Sequence, residues 1–348
     1  MDNKDFNDSI KVTVIGGGHQ GLAMTAHLSL NNVDCYLWNR TERNIRDVIE
    51  NGEIFCRGIV SGTAYVKKAS ANIEDCLQKL IMVTTPSNSH RDIAKLLAPY
   101  VDESYVIILN PGRTFGAREF VSVLKNNGCE SLPVVAETQT IIYTCRRNDR
   151  NTVSIYALKD GVPIATRDKK DMKKVLKVLP KCIKEHFKPV DSDIITSMGN
   201  VGMILHCAPV LMNIGWIESK TVDFKYYYEG ISPTIASLLE RLDEERVMVT
   251  KEMGFEIESL EEWLVRTYKT HGDNLFECLQ NNKYYKDIDA PLSINHRYIE
   301  EDVPNGLVPL ESLGEMYGVP TPMTTLIIDL ANAIMKKNYR AEGRKYIK

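Results

Sequence analysis

The stretch Lys11–Gly21, KVTVIGGGHQG, decides the fold of the N-terminal part of the chain. An apolar run typical of a buried strand ends in glycines with GxGxxG spacing, and a helical pattern follows. Gly16 permits a tight turn, Gly18 lets the backbone approach a pyrophosphate, and Gly21 lets the helix pack closely on the sheet. The pattern predicts a dinucleotide site with the phosphates at the helix N-terminus. A purely structural glycine turn is the alternative.

Length and composition narrow the functional class. The 348 residues are enough for two domains with separate cores. A formal charge of -3 without a basic block argues against a nucleic-acid surface. The N-terminal MDNKDFNDS is too polar for a signal peptide, and no uninterrupted apolar run predicts a membrane span. Eight cysteines without a CxxC pair or zinc-like grouping predict a cytoplasmic protein without disulfides or structural metal.

The second predicted strand, DCYLWNR, ends where dinucleotide-binding folds distinguish NAD from NADP. An acidic side chain there would bind the ribose hydroxyls, but this chain has Asn39, followed by Arg40 and Arg43. No carboxylate would repel a 2′-phosphate, and two guanidinium groups are available to pair with it. The pattern favours NADP. NAD stays open, because both arginines could simply be exposed on a loop.

Two further apolar runs read as buried strands that end in polar turns. KLIMVTTP ends in Thr85 and Pro86, and YVIILNP ends in Asn110 and Pro111. Open α/β sheets bind ligands at the carboxyl ends of their strands. Thr85, Pro86 and Asn110 are therefore predicted to contact the cofactor.

The next strand, PVVAETQT, carries Glu137 close to its end. Glu137 is a candidate for binding a substrate ammonium group, and a salt bridge with Arg146 or Arg147 is the alternative. His90 follows the earlier Thr85 turn and is interpreted as a surface residue, as histidines near helix starts usually are.

The remaining patterns define two domains. Glu53–Lys67 predicts a hairpin inserted in the sheet, Thr152–Thr166 a strand pair, and Lys169–His186 a helix. These patterns predict a Rossmann-type α/β domain over residues 1–192. From Asp193 the strand-like runs disappear, which predicts a mainly α-helical domain over residues 193–348.

The first helix of that second domain, predicted over Met198–Glu218, carries polar groups on an apolar background. Gly202, His206 and Asn213 fall on one face at helical spacing. Pro209 disturbs the helix because it lacks an amide donor. A kink beside His206 would let a flat ring such as nicotinamide approach. The alternative is a core histidine on an apolar helix.

Later patterns predict helices over residues 233–253, 263–280 and 322–337. Between the last two lies the acidic stretch HRYIEEDVP, His296–Pro304. Asp302 comes just before Val303-Pro304, so it is predicted to lie at an element boundary.

With these motifs in view, the chain resembles the octopine/nopaline dehydrogenase family. The similarity spans both domains, and its most specific parts are NVGMILHCAPVLMN at Asn200–Asn213 and HRYIEEDVPNGL at His296–Leu307. Opine dehydrogenases have a Rossmann domain followed by a helical domain and reductively join an amino acid to an α-keto acid. The resemblance implies the same fold and activity here.

The resemblance also implies residue roles. His206 matches the catalytic histidine of the family, Asp302 its partner carboxylate, and Arg297 a substrate-binding arginine. Asn213, on the His206 face, is a further candidate for contacting substrate. Histidine suits proton transfer near neutral pH, and arginine can hold a carboxylate by two hydrogen bonds.

The partners implied are small molecules. Pyruvate is the expected keto acid, and the amine could be arginine, lysine, an aliphatic amino acid or a metallophore precursor. The Asn39-Arg40 pair departs from relatives that use NAD. The family includes monomers and dimers, so a homodimer is one of two options.

Two other functions fit parts of the pattern. A 2-hydroxy-acid or glycerol-phosphate type dehydrogenase would share the two-domain plan, but such enzymes generally use a catalytic lysine. Lys251 is the conceivable one, and its charged surroundings favour a solvent-facing position. A non-catalytic NADP-sensing protein would need the glycine loop but neither His206 nor Asp302.

Overall fold

The computed structural model describes residues 10–219 and 223–346. The chain forms two compact units, one of Met1–Gly112 with Phe120–Asp193 and the other of Arg113–Glu119 with Ile194–Lys348. The units are not two successive segments, because Arg113–Glu119 is grouped with the later residues. The domain division at residues 192 and 193 stays a prediction.

The first unit contains the twelve strands found among the described residues. In chain order they are β1 (Lys11–Ile15), β2 (Asp34–Trp38), β3 (Glu53–Gly58), β4 (Gly62–Tyr65), β5 (Lys68–Ser70), β6 (Leu80–Val83), β7 (Val106–Leu109), β8 (Val134–Thr138), β9 (Tyr143–Asp149), β10 (Thr152–Leu158), β11 (Val162–Thr166) and β12 (Phe187–Pro189).

The main sheet has eight strands in the order β12-β11-β8-β7-β6-β1-β2-β5. The run from β8 to β5 is parallel throughout, and β11 is antiparallel to β8. Every residue of β6 (LIMV) and β7 (VIIL) is buried. Strands buried on both faces are typical of parallel α/β sheets covered by helices. The predicted α/β fold of this part of the chain is confirmed.

A second sheet has the order β4-β3-β10-β9. The predicted hairpin is present as β3 and β4, but it belongs to this separate sheet and is not inserted in the main one. The prediction that Thr152–Thr166 forms a strand pair is wrong, because β10 pairs with β9 and β3 while β11 pairs with β8 and β12. In β10, Val153 and Ile155 are fully buried and alternate with partly exposed residues, as expected for a sheet with one covered face.

Helices surround the main sheet and form most of the second unit. Their bounds are α1 (His19–Leu30), α2 (Arg46–Asn51), α3 (His90–Leu97), α4 (Gly116–Asn126), α5 (Met172–Val178), α6 (Lys181–Lys184), α7 (Asp193–Met198), α8 (Gly202–Leu205), α9 (Cys207–Met212), α10 (Ile214–Glu218), α11 (Pro233–Glu252), α12 (Leu260–Tyr268), α13 (Leu275–Gln280), α14 (Arg297–Glu300), α15 (Val308–Tyr317), α16 (Pro322–Met335) and α17 (Tyr339–Glu342).

Local capping explains where the long helices begin. At the start of α11, the Ser232 side chain accepts a hydrogen bond from the amide of Ile235, and Pro233 occupies the first turn. Pro322 likewise occupies the first turn of α16, although Thr321 makes no capping hydrogen bond there. Both helices lie close to their predicted positions.

Two predicted helices are interrupted. The helix predicted over Lys169–His186 is split into α5 and α6 around Pro180, which cannot donate a helical hydrogen bond. The helix predicted over residues 263–280 is split into α12 and α13, because Lys269 adopts a left-handed conformation with φ of 55° and ends α12.

The second unit is built around one apolar core. The helical run Asp193–Met212 would be long and apolar enough to cross a membrane, but 94% of its apolar window is buried inside the protein. That burial is what a core helix shows. All eight cysteines are free thiols, and six of them are buried. Among the described residues, no group of three or more His, Cys, Asp or Glu side chains is placed to hold a metal ion.

Candidate active site

The glycine loop joins β1 to α1 in the first unit. Gly16 has a φ of 112°, which side chains rarely allow. A Cβ atom added to Gly21 would lie 1.6 Å from the Gly16 carbonyl oxygen, so only glycine lets α1 pack this closely. A Cβ on Gly18 would meet no atom within 4 Å. The loop is therefore tight at Gly16 and Gly21 and open at Gly18.

Side chains from two other segments hold this loop. The Asn39 Oδ1 atom accepts a hydrogen bond from the Gly17 amide at 2.9 Å, and its Nδ2 atom donates to the Thr41 carbonyl at 2.8 Å. Arg147 donates to the carbonyls of Gly17 at 2.8 Å and Asn44 at 2.7 Å. Asn39 thus fixes the loop through its amide group while carrying no charge.

The two predicted phosphate-pairing arginines lie nearby in sequence and are exposed. Arg40 lies 3.9 Å from Asp92, and both side chains are more than half exposed. Arg43 is in a short exposed turn. An ion pair this exposed contributes little to stability, so the Arg40 guanidinium is available to a ligand.

Residues at the ends of β6, β7 and β8 lie along one edge of the main sheet, since these strands are parallel neighbours. The Thr85 Oγ1 and Asn110 Oδ1 atoms are buried there and have no hydrogen-bond partner among the described residues. Glu137 is fully buried, and a Cβ on Gly112 would lie 2.5 Å from the Glu137 Cβ. Buried polar atoms of this kind are normally satisfied, which fits a polar ligand at this edge.

These features fit a dinucleotide. Gly18, the N-cap of α1, has no side chain, and the space beside it leaves room for a pyrophosphate at the helix N-terminus. The interpretation of His90 as a surface residue is wrong: His90 is fully buried, with its ring 6.4 Å from that of Phe120.

In the second unit, His206 lies at a break in the predicted long helix. The single helix predicted over Met198–Glu218 is wrong, because α7 to α10 replace it and His206 separates α8 from α9. Pro209 has no amide to donate to the turn before it. The Tyr226 hydroxyl lies 2.7 Å from the His206 carbonyl oxygen and donates to it. A side chain therefore hydrogen-bonds to a backbone carbonyl at the helix break and fixes the local geometry.

The His206 imidazole is paired with a buried carboxylate. Its Nδ1 atom lies 2.7 Å from the Asp302 Oδ2 atom, and the Asp302 side chain is only 1% exposed. Asp302 comes just before a π-helical turn, Val303–Leu307, that begins with a valine and a proline. An ionised carboxylate can only accept, so His206 donates from Nδ1 and carries its lone pair on Nε2.

Charges around the pair set its protonation. Burial lowers the pKa of His206 below its usual value, and the cation of Arg113 adds to this, although Asp302 opposes it. Burial alone would raise the pKa of Asp302, but Arg113 and His206 outweigh it and lower that pKa. Near neutral pH the pair is therefore a neutral imidazole beside a carboxylate.

Tyr298 forms one wall of the site. Its ring stacks on that of His206, with centroids 3.9 Å apart and planes 12° from parallel. The guanidinium of Arg297 lies 5.4 Å from the centre of the Tyr298 ring and 3.7 Å from Glu301, and its side chain is 52% exposed. The imidazole is therefore covered on one face, and a half-exposed cation lies close by.

Comparison with known proteins identifies the family. A model of the NAD/NADP octopine/nopaline dehydrogenase alpha-helical domain matches residues 189–335. An opine dehydrogenase of Arthrobacter sp. (strain 1C) is 32% identical over 344 residues, which cover 97% of this chain and 94% of that protein. The chain belongs to the octopine/nopaline dehydrogenase family. It is an NAD(P)-dependent oxidoreductase.

Solved structures show the same fold. Octopine dehydrogenase in complex with NADH and agmatine matches with a TM-score of 0.77 at 17% identity, over 94% of this chain and 90% of that one. An NADP+-bound yersinopine dehydrogenase matches with a TM-score of 0.73 at 11% identity, over 97% of this chain and 93% of that one. The Rossmann-type domain followed by a helical domain is confirmed. Because the chain belongs to an enzyme family, the hypothesis of a non-catalytic NADP-sensing protein is set aside.

The Asn213 side chain holds two backbone carbonyls of the enzyme in place. Its Nδ2 atom donates to the carbonyls of Pro209 at 2.8 Å and Gly230 at 2.7 Å. Lys251, the conceivable lysine catalyst, is exposed near the end of α11.

Several residues of the enzyme's site were missed in the sequence. Arg113 lies beside Asp302 and contacts Asn200 and Glu301, while Tyr298 stacks on His206. Glu301 and Tyr298 lie inside the family-like stretch at His296–Leu307, which is the one signal that could have indicated them. Arg113 follows a strand end far away in sequence, and no spacing rule connects it to residue 302.

Proposed function

We propose that the enzyme reductively condenses the amino group of an amino acid with an α-keto acid through an imine, using His206 and Asp302 as an acid-base pair. The observation that carries the proposal is the 2.7 Å hydrogen bond between the His206 Nδ1 atom and the buried Asp302 carboxylate. Within this family fold, the pair supplies the proton transfers that such a condensation needs near neutral pH.

His206 performs those transfers at Nε2. A substrate amine is protonated near neutral pH and must lose a proton before it attacks a keto group. A neutral imidazole with a lowered pKa can accept that proton, and the imidazolium can return it when water leaves. Asp302 holds the tautomer and stabilises the cation while it exists.

Arg297 is proposed to bind a substrate carboxylate. Its side chain is half exposed, and its contact with Glu301 at 3.7 Å is longer than a hydrogen bond. A guanidinium in that state can rearrange to bind a carboxylate through two parallel hydrogen bonds. Glu137 is proposed to contact the substrate ammonium group. Pyruvate is proposed as the keto acid. We assign Asn213 a structural role, because its amide already holds two backbone carbonyls.

The glycine loop, Thr85, Pro86 and Asn110 are proposed to hold the cofactor. When bound, the reduced nicotinamide supplies a hydride. Asn39 places no negative charge beside the ribose, and Arg40 and Arg43 are exposed cations. These side chains favour NADPH over NADH by attraction to the 2′-phosphate.

The test is a two-substrate oxidation assay. NADPH and NADH consumption are followed on adding pyruvate or another keto acid, each member of an amino-acid panel, and both together. We expect consumption only when both partners are present. Consumption with a carbonyl compound alone would instead identify a 2-hydroxy-acid or glycerol-phosphate type dehydrogenase. No consumption with any pair would contradict the proposal.

A further inference from the structure

Arg113 occupies an unusual position in the second unit. Its backbone has a φ of 58°, in the left-handed region that side chains other than glycine rarely adopt. The next residues are fixed: the Phe115 amide donates to Ser197 Oγ at 2.9 Å, and Thr114 Oγ1 donates to the Ser197 carbonyl at 3.3 Å. The conformation is held by the surrounding structure and aims the guanidinium inward.

The guanidinium forks between three groups. Its Nε atom donates to Glu301 at 3.3 Å, its Nη1 atom donates to Asn200 at 3.1 Å, and Nη1 lies 3.7 Å from the Asp302 Oδ1 atom. The Arg113 side chain is only 12% exposed. Asp302 therefore has His206 on one oxygen and a cation on the other.

Gly202 makes room for this arrangement. A Cβ atom on Gly202 would lie 2.5 Å from the Arg113 Nη1 atom and 3.3 Å from the His206 Cε1 atom. A side chain at residue 202 would displace the guanidinium. Gly202, one turn before His206, thus leaves room for the Arg113 guanidinium in the site.

We propose that Arg113 is a positioning residue that holds Asp302 ionised and oriented toward His206. The inference rests on the proposed function, since it concerns the same acid-base pair. Arg113 acts through Asp302 and does not need to touch substrate. Hydrogen bonds to Glu301 and Asn200 hold the planar guanidinium in place, so its charge stays 3.7 Å from the Asp302 Oδ1 atom, which a single flexible ammonium would not ensure.

The charged and titratable groups facing His206 determine the expected pH effect. They are Asp302, Arg113, Arg297, His296, Tyr298 and Tyr226. Removing the Arg113 cation makes it easier for the pair to take up a proton, whichever member holds it. The acid limb of the pH profile should therefore move to higher pH.

The experiment compares R113K and R113Q with wild type in the two-substrate assay across pH. For R113Q we expect the acid limb of kcat/KM to move to higher pH, together with lower kcat. For R113K we expect the limb to stay near its wild-type position while kcat falls by up to about 10²-fold, because the fork is lost. The KM for NADPH should not change in either variant.

Arg246 provides a matched control for the loss of a buried arginine. It is fully buried in the same unit, pairs with Asp243 at 2.7 Å, and donates to the carbonyls of Met198 and Glu258. R246Q should lower the melting temperature without moving the acid limb. If R113Q does not fold, R113K decides the question by its kcat.

The two failures are distinguishable. If wild type consumes NADPH with a carbonyl compound alone, the proposed function fails, and the same variants still test Arg113 on that reaction. If wild type condenses both substrates but R113K keeps the wild-type kcat, or R113Q keeps the wild-type acid limb, the positioning inference is wrong.

Discussion

The glycine loop and the His206 site solve different problems in different ways. The loop is made by residues that are contiguous in sequence, and its shape depends on backbone conformation at Gly16 and contact at Gly21. The His206 site is made by side chains from three distant segments, and its chemistry depends on the charges of Arg113 and Asp302. The glycine loop thus depends on the space available around the backbone, whereas the His206 site depends on charged side chains.

This difference determines how each site can fail. A backbone site fails when an added atom occupies space that the chain or ligand needs, so small substitutions have large effects there. A charge site fails when a partner is removed and a buried ion is left uncompensated. Substitutions of each kind should therefore change different measured quantities.

The largest expected effect is at the charge site. Replacing His206 by alanine should lower kcat by about 10²–10⁴-fold, because the proposed proton transfers use its Nε2 atom. Binding of NADPH, measured by fluorescence titration, should be nearly unchanged. H271A, which removes an exposed histidine from the same unit, is the control and should keep wild-type kcat. Unchanged turnover in H206A would remove His206 from the mechanism.

Substitutions at Gly21 and Gly18 test two different needs for space. Gly21 leaves space that the folded protein needs, and Gly18 leaves space that the cofactor is expected to need. G21A should destabilise the free protein by about 1–3 kcal/mol, because its Cβ would meet the Gly16 carbonyl oxygen at 1.6 Å. G18A should leave the melting temperature of the free protein unchanged, since no atom lies within 4 Å of its Cβ.

G18A should instead raise the dissociation constant of NADPH by about tenfold or more, equivalent to at least about 1.4 kcal/mol. Thermal unfolding and cofactor titration of both variants make the comparison. Wild-type cofactor affinity in G18A would show that no ligand approaches the loop at this point.

Asn39 combines both kinds of effect at the glycine loop. Its side chain holds the loop by a hydrogen bond and also determines the local charge. N39D keeps an oxygen acceptor for the Gly17 amide while adding a negative charge. We expect the NADPH/NADH ratio of kcat/KM to fall by about tenfold or more, since the carboxylate repels a 2′-phosphate and can bind ribose hydroxyls. N39S, a neutral variant, is the control. An unchanged ratio in N39D would place the cofactor selection elsewhere.

The same contrast explains what could be predicted from the sequence. The glycine spacing, the buried runs of β6 and β7, the Ser232 cap of α11 and the prolines that begin α11 and α16 are local signals, and they predicted the fold. Errors arose where tertiary pairing decided the outcome. The sheet to which β10 belongs and the break at His206 both depend on partners far away in sequence.

The candidate site was predictable only through its family-like stretches. His206, Arg297 and Asp302 lie in them, and periodicity alone could not distinguish His206 from an ordinary core histidine. Arg113 shows the limit most clearly. It is one charged residue after a strand, and only the folded chain reveals that it lies beside Asp302.

The smallest expected effect separates two neighbouring histidines. His296 accepts a hydrogen bond at Nδ1 from the Tyr298 amide, so it must be neutral to cap α14. Burial, with help from Arg297, lowers the pKa of His296 to about 4. In the unfolded chain the value is about 6.5. Between these values the unfolded state binds more protons, so the free energy of unfolding falls as pH falls.

The slope from His296 is at most about 1.4 kcal/mol per pH unit. In H296N the asparagine still caps the helix but cannot titrate, so urea unfolding between pH 7 and pH 4.5 should show a shallower loss of stability than wild type. His206 is unchanged in this variant and continues to contribute in the same direction, because its folded pKa is also lowered. H271N, at an exposed histidine, should keep the wild-type slope. If H296N keeps it too, the charge on His296 is not coupled to folding.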